Sequence, residues 1–132
     1  MAVLARSKPK VIKMTSALRE YFQTKLAAEL GPYDVKHLLE AGYSNVVILD
    51  VRSSEAYREG HIPGAVNIPF DELSARYHEI SKNKEVISYC SNITCLLCTK
   101  AAYFLASNGY ESREMVGGFE AWKNSGFTVD KR

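Results

Sequence analysis

Three cysteines within nine positions are the residues of this sequence best suited to covalent chemistry. They are Cys90, Cys95 and Cys98, and an odd, clustered set is a poor framework for structural disulfides. Cys90 directly follows an apolar run at residues 86–89, and polar residues separate it from the next helical pattern. This spacing predicts a cysteine in a loop between a buried strand and the N-terminus of a helix.

A thiol in that loop has the surroundings of a nucleophile. Open α/β sheets bind ligands at the carboxyl ends of their strands, and the N–H groups at a helix N-terminus favour a thiolate. Such positions lower the pKa of a cysteine from about 8.5 to as little as ~3.5. The alternative is that Cys90 is an inert core residue, because free cysteines are among the most buried residue types.

Alternating strand and helix patterns predict the scaffold that carries this loop. Continuous apolar runs indicate buried parallel strands at 46–49 and 86–89, with shorter strands at 27–30 and 114–116. Helical spacing, punctuated by Pro32, Gly42 and Gly109, predicts helices at 15–25, 32–42, 54–58, 71–80, 97–109 and 119–123. Thr15 and Ser16 are candidate N-caps of the first helix. The expected fold is a three-layer α/β/α domain with a mainly parallel central sheet.

Length and composition allow one domain. The 132 residues are 46% hydrophobic and 24% charged, with a net charge of +2, which favours neither nucleic acid nor a membrane surface as the main partner. Residues 1–14 form a basic tail, 15–25 an additional helix and 26–130 the domain. The sequence has no apolar run of about 18 residues and no secretion signal, so we expect a cytoplasmic protein that is a monomer or a weak homodimer.

Three motifs, in the same order along the chain, resemble the rhodanese family. They are LDVRSSEAYREGHIPGAVNIP at 49–69, ISYC at 87–90 and GGFEAWKNSGFTV at 117–129. The resemblance implies a rhodanese-like domain whose Cys90 carries sulfane sulfur as a persulfide. It also implies a small sulfur donor (thiosulfate, a persulfide or a polysulfide) and a thiol, cyanide or sulfur-acceptor protein as acceptor. No cofactor or metal is expected.

The loop after Cys90 is expected to bind the substrate, and it departs from the family's common pattern. It comprises Ser91, Asn92, Ile93, Thr94, Cys95, Leu96 and Leu97. Many rhodaneses that use thiosulfate resemble one another in carrying basic side chains here, whereas this loop has no Arg or Lys. A dianion would lose hydration without gaining a cationic partner, so thiosulfate should be a weaker donor than a persulfide or polysulfide. The loop is also about two residues longer than the commonest version, which suits a bulkier donor or acceptor.

Other assignments of the cysteines fit less well. Rhodanese-like dual-specificity phosphatases place an Arg where this chain has Leu96, and thioredoxin-like sites need a later cis-proline, whereas no proline follows Pro69. Zinc held by the three cysteines and His61 would occupy the nucleophile. Cys98 is predicted to pack in the core, and Cys95 either packs or acts as a resolving thiol for Cys90.

The remaining candidates support the site or build the core. Asp50 and Arg52 follow the strand at 46–49 and are expected to fix the neighbouring loops by ion pairing. His61 is expected to satisfy backbone groups, and Tyr89 should point to the sheet face opposite Cys90. The predicted aromatic core comprises Phe119, Trp122 and Phe127. The alternative function is a non-catalytic or redox-sensing module that binds a partner through the same sheet edge.

Overall fold

The computed structural model describes residues 13–132, so nearly all of the predicted basic tail lies outside the described residues. The helices are Thr15–Ala28 (α1), Pro32–Ala41 (α2), Ser54–Glu59 (α3), Phe70–Arg76 (α4), Leu97–Ser107 (α5) and Gly118–Asn124 (α6). The strands are Glu29–Leu30 (β1), Val46–Asp50 (β2), Val66–Asn67 (β3), Glu85–Tyr89 (β4) and Glu111–Met115 (β5). Within this part of the chain no helix is long and apolar enough to cross a membrane.

The five strands form one parallel sheet in the order β1-β5-β4-β2-β3. β4 occupies the centre, with Ile87 paired to Ile48 of β2 and to Arg113 of β5. A central parallel strand is covered by helices on both faces, which explains why residues 86–89 read as a continuous apolar run. The predicted α/β class with a parallel sheet is therefore confirmed, and the sheet is parallel throughout.

Helices cover both faces of the sheet and enclose two apolar clusters. One cluster lies against α4 and α5 and includes Cys90, Cys98 and Leu105. The other lies against α2 and α6 and includes Tyr89 and Trp122. Successive strand residues alternate between faces, and the two neighbours at the end of β4 accordingly point to opposite sides. The predicted three layers and the predicted orientation of Tyr89 are confirmed.

Helix α1 differs from its prediction at both ends. It begins at Thr15 after Met14, without a side-chain N-cap, and it continues to Ala28. The predictions of an end near residue 25, of a strand starting at 27 and of capping by Thr15 or Ser16 were wrong. Alanine is the strongest helix former, so Ala27 and Ala28 extend the helix. Strand β1 is therefore reduced to two residues.

Strands on both sides of the centre of the sheet also differ from their predictions. β5 spans Glu111–Met115 rather than 114–116. β1 pairs only with the last two residues of β5, so the polar first half of β5 is open on that side and lacks the apolar pattern of a buried strand. There Arg113 forms an ion pair with Glu85 instead of contributing an apolar side chain. β3 was not predicted, since only two residues pair with the end of β2. The helix predicted at 71–80 ends at Arg76 and continues as the 3₁₀ turn Tyr77–Glu79.

Candidate active site

Cys90 lies at the carboxyl end of the central strand, where the first turn of α6 anchors the chain. The N–H of Phe119 donates to the carbonyl oxygen of Cys90 at 2.8 Å, and the N–H of Glu120 donates to that of Ser91 at 2.9 Å. These bonds satisfy backbone groups at the start of α6 that have no partner inside the helix. They also hold the first two residues of the loop in one position.

Gly118 allows this close contact between α6 and the loop. Its φ is +64°, a left-handed conformation that side chains disfavour. A Cβ atom there would lie 2.6 Å from the carbonyl oxygen of Cys90 and 2.7 Å from the backbone nitrogen of Asn92. Gly118 is a site-building residue that sequence reasoning did not single out, although the Gly-Gly pair in the third motif marked the position.

The nucleophile candidate is in direct contact with a second thiol. The Sγ atoms of Cys90 and Cys98 are 3.5 Å apart. Hydrogen bonding from the Cys98 thiol is the main cause that lowers the pKa of Cys90, with further donation from the Cys95 side chain and the backbone N–H groups of Cys98 and Ser91. The favoured state of the pair has the negative charge on Cys90 and the proton on Cys98.

Two features of the site act against this thiolate. Burial disfavours the charged form, and the carbonyl oxygen of Cys95, 3.3 Å from the Cys90 sulfur, can only accept a hydrogen bond. The donors outnumber this acceptor, so the pKa of Cys90 remains lowered. The same hydrogen bond raises the pKa of Cys98, as do its burial and the nearby carboxylate of Glu114.

A cleft of about 250 Å³ opens beside the pair of thiols. Its walls come from α1 with β1, the loop, the start of α5 and the end of β5, and they comprise Lys25, Glu29, Asn92, Ile93, Cys95, Leu96, Cys98, Thr99, Glu114, Met115, Val116 and Gly117. Cys98 belongs to this lining, whereas Cys90 lies behind it with no exposed surface. Cys95 and Cys98 are therefore the cysteines that line the cleft, and Cys90 is reached only past its neighbours.

The charged groups of the cleft are mainly acidic. Lys25 lies 3.1 Å from Glu29 and is neutralised by it. Glu114 accepts a hydrogen bond from the Thr99 hydroxyl at 2.6 Å and lies 3.5 Å from the Cys98 sulfur. The cleft thus carries one carboxylate more than it has ammonium groups. In residues 13–132, no group of three or more His, Cys, Asp or Glu side chains is arranged to hold a metal ion.

Only part of the predicted substrate loop faces this cleft. Its lining members are Asn92, Ile93, Cys95 and Leu96, while Ser91, Thr94 and Leu97 lie elsewhere. The Asn92 side-chain oxygen accepts hydrogen bonds from the backbone and hydroxyl of Thr94, at 3.1 and 2.8 Å, which closes the loop into a turn. Ile93 and Leu96 are 67% and 62% exposed, so apolar side chains rim the entrance.

Asp50 and Arg52 form a buried network away from the thiols. The Arg52 guanidinium donates to Asp50 and to the carbonyl oxygen of Gly60, each at 2.6 Å. The Tyr89 hydroxyl donates to the same carboxylate at 2.6 Å and accepts from the N–H of Ile62 at 3.1 Å. In the described part of the chain these contacts join β2, β4 and the loop around residue 60. These contacts agree with the loop-fixing role expected for Asp50 and Arg52.

His61 and the aromatic residues of the last helix serve the scaffold. The His61 Nδ1–H donates to the carbonyl oxygen of Tyr57 at 2.7 Å, and the two rings stack at 3.7 Å. Trp122 is buried and donates through its indole N–H to the carbonyl oxygen of Thr128 at 2.8 Å. Phe127 packs edge-on against Trp122. The backbone role predicted for His61 and the core role predicted for Trp122 agree with this geometry.

The family model described as Rhodanese-like domain matches residues 31–125. This chain belongs to the rhodanese-like domain family. The match contains the thiol pair, the loop and the Asp50–Arg52 network, whereas α1 precedes it. The cleft of this rhodanese-like chain is therefore built partly from a helix outside the matched region.

Similar proteins include both an enzyme and a regulator. The chain is 32% identical over 80 residues to the thiosulfate sulfurtransferase GlpE of Coxiella burnetii, covering 60% of this chain and 73% of that protein. It is 36% identical over 92 residues to the HTH-type transcriptional regulator Rv0324 of Mycobacterium tuberculosis, covering 70% of this chain and 40% of that protein. The rhodanese-like chain thus spans less than half of the regulator.

A solved structure extends the likeness beyond the matched family region. The crystal structure of the BH2092 protein from Bacillus halodurans superposes with a TM-score of 0.81 at 35% sequence identity. The superposition covers 89% of this chain and 85% of that one. The fold described above is thus shared with this Bacillus halodurans protein over most of both chains.

Proposed function

We propose that this chain is a sulfurtransferase in which Cys90 carries sulfane sulfur between a donor and an acceptor. The observation that supports the proposal is a cysteine at the end of the central strand whose sulfur lies 3.5 Å from the Cys98 thiol, a donor that lowers the pKa of Cys90. This donor favours a nucleophilic thiolate at neutral pH. Similarity to a thiosulfate sulfurtransferase supports the same reaction class.

The proposed cycle has two displacement steps. The Cys90 thiolate attacks the outer sulfur of a donor R–S–SH, so that a new S–S bond forms, the donor's S–S bond breaks and RS⁻ leaves. An acceptor thiolate then attacks the outer sulfur of the Cys90 persulfide, and the Cys90 thiolate leaves. A lowered pKa makes Cys90 a good leaving group in this second step, so the same hydrogen bonds serve both halves of the cycle.

The surroundings of Cys90 favour a donor of low charge. Cys90 has no exposed surface, so a donor reaches it by displacing the side chains of the loop that cover it. The entrance is apolar at Ile93 and Leu96, and the cleft carries the unneutralised carboxylate of Glu114. A dianion meets repulsion and loses hydration on this route. We therefore propose a persulfide or polysulfide as the donor, in preference to thiosulfate.

A regulatory module is the second candidate function. It is favoured by the similarity to the HTH-type transcriptional regulator, in which the matching region is joined to additional sequence. In this alternative, the sulfur state of Cys90 changes the affinity of the sheet edge for a partner, and turnover with small acceptors is absent. The two functions differ in whether a loaded Cys90 transfers its sulfur to a small thiol.

The test is intact-mass analysis after incubation with inorganic polysulfide and removal of the excess. Wild type sampled immediately should have gained the mass of one sulfur atom, and cyanide added at that point should remove it with formation of thiocyanate. Cys90→Ser should gain nothing, while Cys95→Ser, which keeps the nucleophile, should load. Circular dichroism checks that each variant is folded. Equal loading of Cys90→Ser and wild type would reject Cys90 as the carrier, and loading without transfer would favour the regulatory module.

A further inference from the structure

The Cys90 and Cys98 sulfurs are in direct contact, and a carboxylate lies on the other side of Cys98. The Cys98 sulfur lies 3.5 Å from the Cys90 sulfur and 3.5 Å from Oε1 of Glu114. We propose that Cys98 is a resolving thiol: it displaces hydrosulfide from sulfur-loaded Cys90 and forms a Cys90–Cys98 disulfide. The inference rests on the proposed loading of Cys90 and adds an acceptor-independent release of sulfide.

The state of Cys90 determines where the Cys98 proton goes. In the unloaded protein the Cys98 thiol donates to the Cys90 thiolate, which makes Cys98 a poor nucleophile. Once Cys90 carries a second sulfur, its Sγ atom is no longer an anion and accepts this hydrogen bond only weakly. Among the described residues, the carboxylate beside Cys98 is that of Glu114, which the Thr99 hydroxyl orients at 2.6 Å. Loading therefore redirects the proton towards a general base.

The resolving step is balanced within the site. Glu114 takes the proton of Cys98, and the Cys98 sulfur attacks Sγ of Cys90–S–SH. One S–S bond forms between the two cysteines, the S–S bond of the persulfide breaks, and HS⁻ leaves. The outer sulfur is reduced to sulfide and the two cysteine sulfurs are oxidised to the disulfide. No oxidant is needed, because the sulfane sulfur accepts both electrons.

The position of the cleft determines how the disulfide is reduced. Cys98 lines the cleft and Cys90 lies behind it, so an external dithiol reaches the Cys98 sulfur. Its attack there expels Cys90 as the thiolate, which is the leaving group of lower pKa. The second thiol of the reductant then displaces Cys98, and both cysteines return to the reduced state. The co-reactant is thus a dithiol reductant, which supplies two electrons for each sulfide released.

Cys95 is the matched comparison, because it is also close to Cys90 but lacks a base. Its carbonyl oxygen lies 3.3 Å from the Cys90 sulfur, its side chain helps to lower the pKa of Cys90, and it lines the same cleft. Among residues 13–132, however, no carboxylate lies within hydrogen-bond distance of the Cys95 thiol, whereas Cys98 has Glu114. The proposal therefore assigns resolution to Cys98 rather than to Cys95, for which the sequence left packing and resolution open.

The experiment follows the loaded protein after donor removal, under anaerobic conditions and without acceptor. Wild type, loaded with inorganic polysulfide, should release one equivalent of sulfide and end at the mass of the reduced protein less two hydrogen atoms. Cys98→Ser should keep its extra sulfur. Cys95→Ser should release sulfide, and its disulfide can only join Cys90 to Cys98. Chymotryptic cleavage after Leu96 or Leu97 should then yield two peptides linked by that bond.

A second variant tests the base without removing a cysteine. Glu114→Gln should load but release sulfide about a hundredfold more slowly, which is typical for loss of a general base, and its release rate should rise with pH. Wild type that keeps its sulfur as long as Cys98→Ser would overturn the inference and leave the proposed function intact. Failure of wild type to load at all would overturn both. Retention of sulfur by Cys95→Ser, with release by Cys98→Ser, would reassign resolution to Cys95.

Discussion

At the scale of single residues, the charge on Cys90 depends on a neighbour eight positions along the chain. The Cys98 thiol is the first cause that lowers the pKa of Cys90, ahead of the loop amides. We expect alkylation of Cys90 to have a pH midpoint below the ordinary value of about 8.5. Cys98→Ala should raise the midpoint because the donor is lost, and Cys98→Ser should raise it less because its hydroxyl still donates.

The measurement is the rate of reaction with iodoacetamide between about pH 4 and pH 10. Cys90→Ser gives the background rate from the other thiols. Cys95→Ser is the matched control, since Cys95 is a lesser contributor than Cys98. If Cys98→Ala and wild type shared one midpoint, the amides alone would account for the thiolate.

Donor choice is also decided by individual side chains at the entrance. Ile93 lines the cleft, whereas its exposed neighbour Thr94 does not. Ile93→Arg should raise kcat/KM for thiosulfate by about tenfold, because a charge-assisted hydrogen bond contributes roughly 1.5–3 kcal/mol. Thr94→Arg adds the same charge outside the cleft and should change kcat/KM less. Steady-state assays with thiosulfate and polysulfide on both variants check this. Equal gains in kcat/KM for thiosulfate would show that the net charge of the protein, rather than a cation inside the cleft, determines the donor preference.

At the scale of elements, the close contact between α6 and the loop after Cys90 depends on one glycine. Gly118→Ala places a Cβ atom against the carbonyl oxygen of Cys90, so the loop must shift and sulfur transfer should fall by at least about tenfold. Gly42→Ala is the matched control, since Gly42 also has a positive φ but no neighbour within 4 Å of a Cβ. Its cost should be limited to about 1–2 kcal/mol of backbone strain.

Urea denaturation and activity assays of the two glycine variants distinguish the cost of backbone strain at a positive φ from the steric clash of a Cβ atom with the loop. Gly118→Ala should lose more stability than Gly42→Ala and should alone lose activity. Comparable activity in both would show that the loop tolerates the shift, and α6 would then have no positioning role.

The secondary-structure elements differ in how well the sequence predicted their positions. β2, β4 and the position of Cys90 followed from apolar runs, because strands buried on both faces have a local signature. The contact of Cys98 with Glu114 did not, since it depends on α5 packing beside β5, and β5 has polar residues at 111–113 that hid its start. The contact between Gly118 and the loop after Cys90 likewise joins residues almost thirty positions apart in sequence, and no local pattern predicts a contact at that separation.

At the scale of the whole molecule, the buried ion pair ties the sheet to the loop around residue 60. Asp50 has no exposed surface and Arg52 is 8% exposed. Arg52→Met should lower the free energy of unfolding by about 3–5 kcal/mol, because it leaves a buried carboxylate without its cation. Arg76→Met removes an exposed arginine that bridges Glu72 and Glu79 and should cost about 0–1 kcal/mol.

Urea unfolding of these two arginine variants gives the comparison directly. A similar, small loss in both would show that Asp50 is satisfied by Tyr89 and the backbone without its cation. Activity is a separate readout, because the network does not contact the thiols: a folded Arg52→Met protein should still load Cys90.

Helix α1 forms one wall of the cleft, and we expect its local stability to differ from that of the packed sheet. None of its residues is buried, yet Lys25 faces the thiols across the cleft. An element with so little buried surface opens at a small free energy, far below that of global unfolding. Its amides should therefore exchange with deuterium long before those of β4. We therefore expect the width of the cleft on its α1 side to fluctuate independently of the packed sheet, and bulky sulfur donors to enter more readily while the helix is detached.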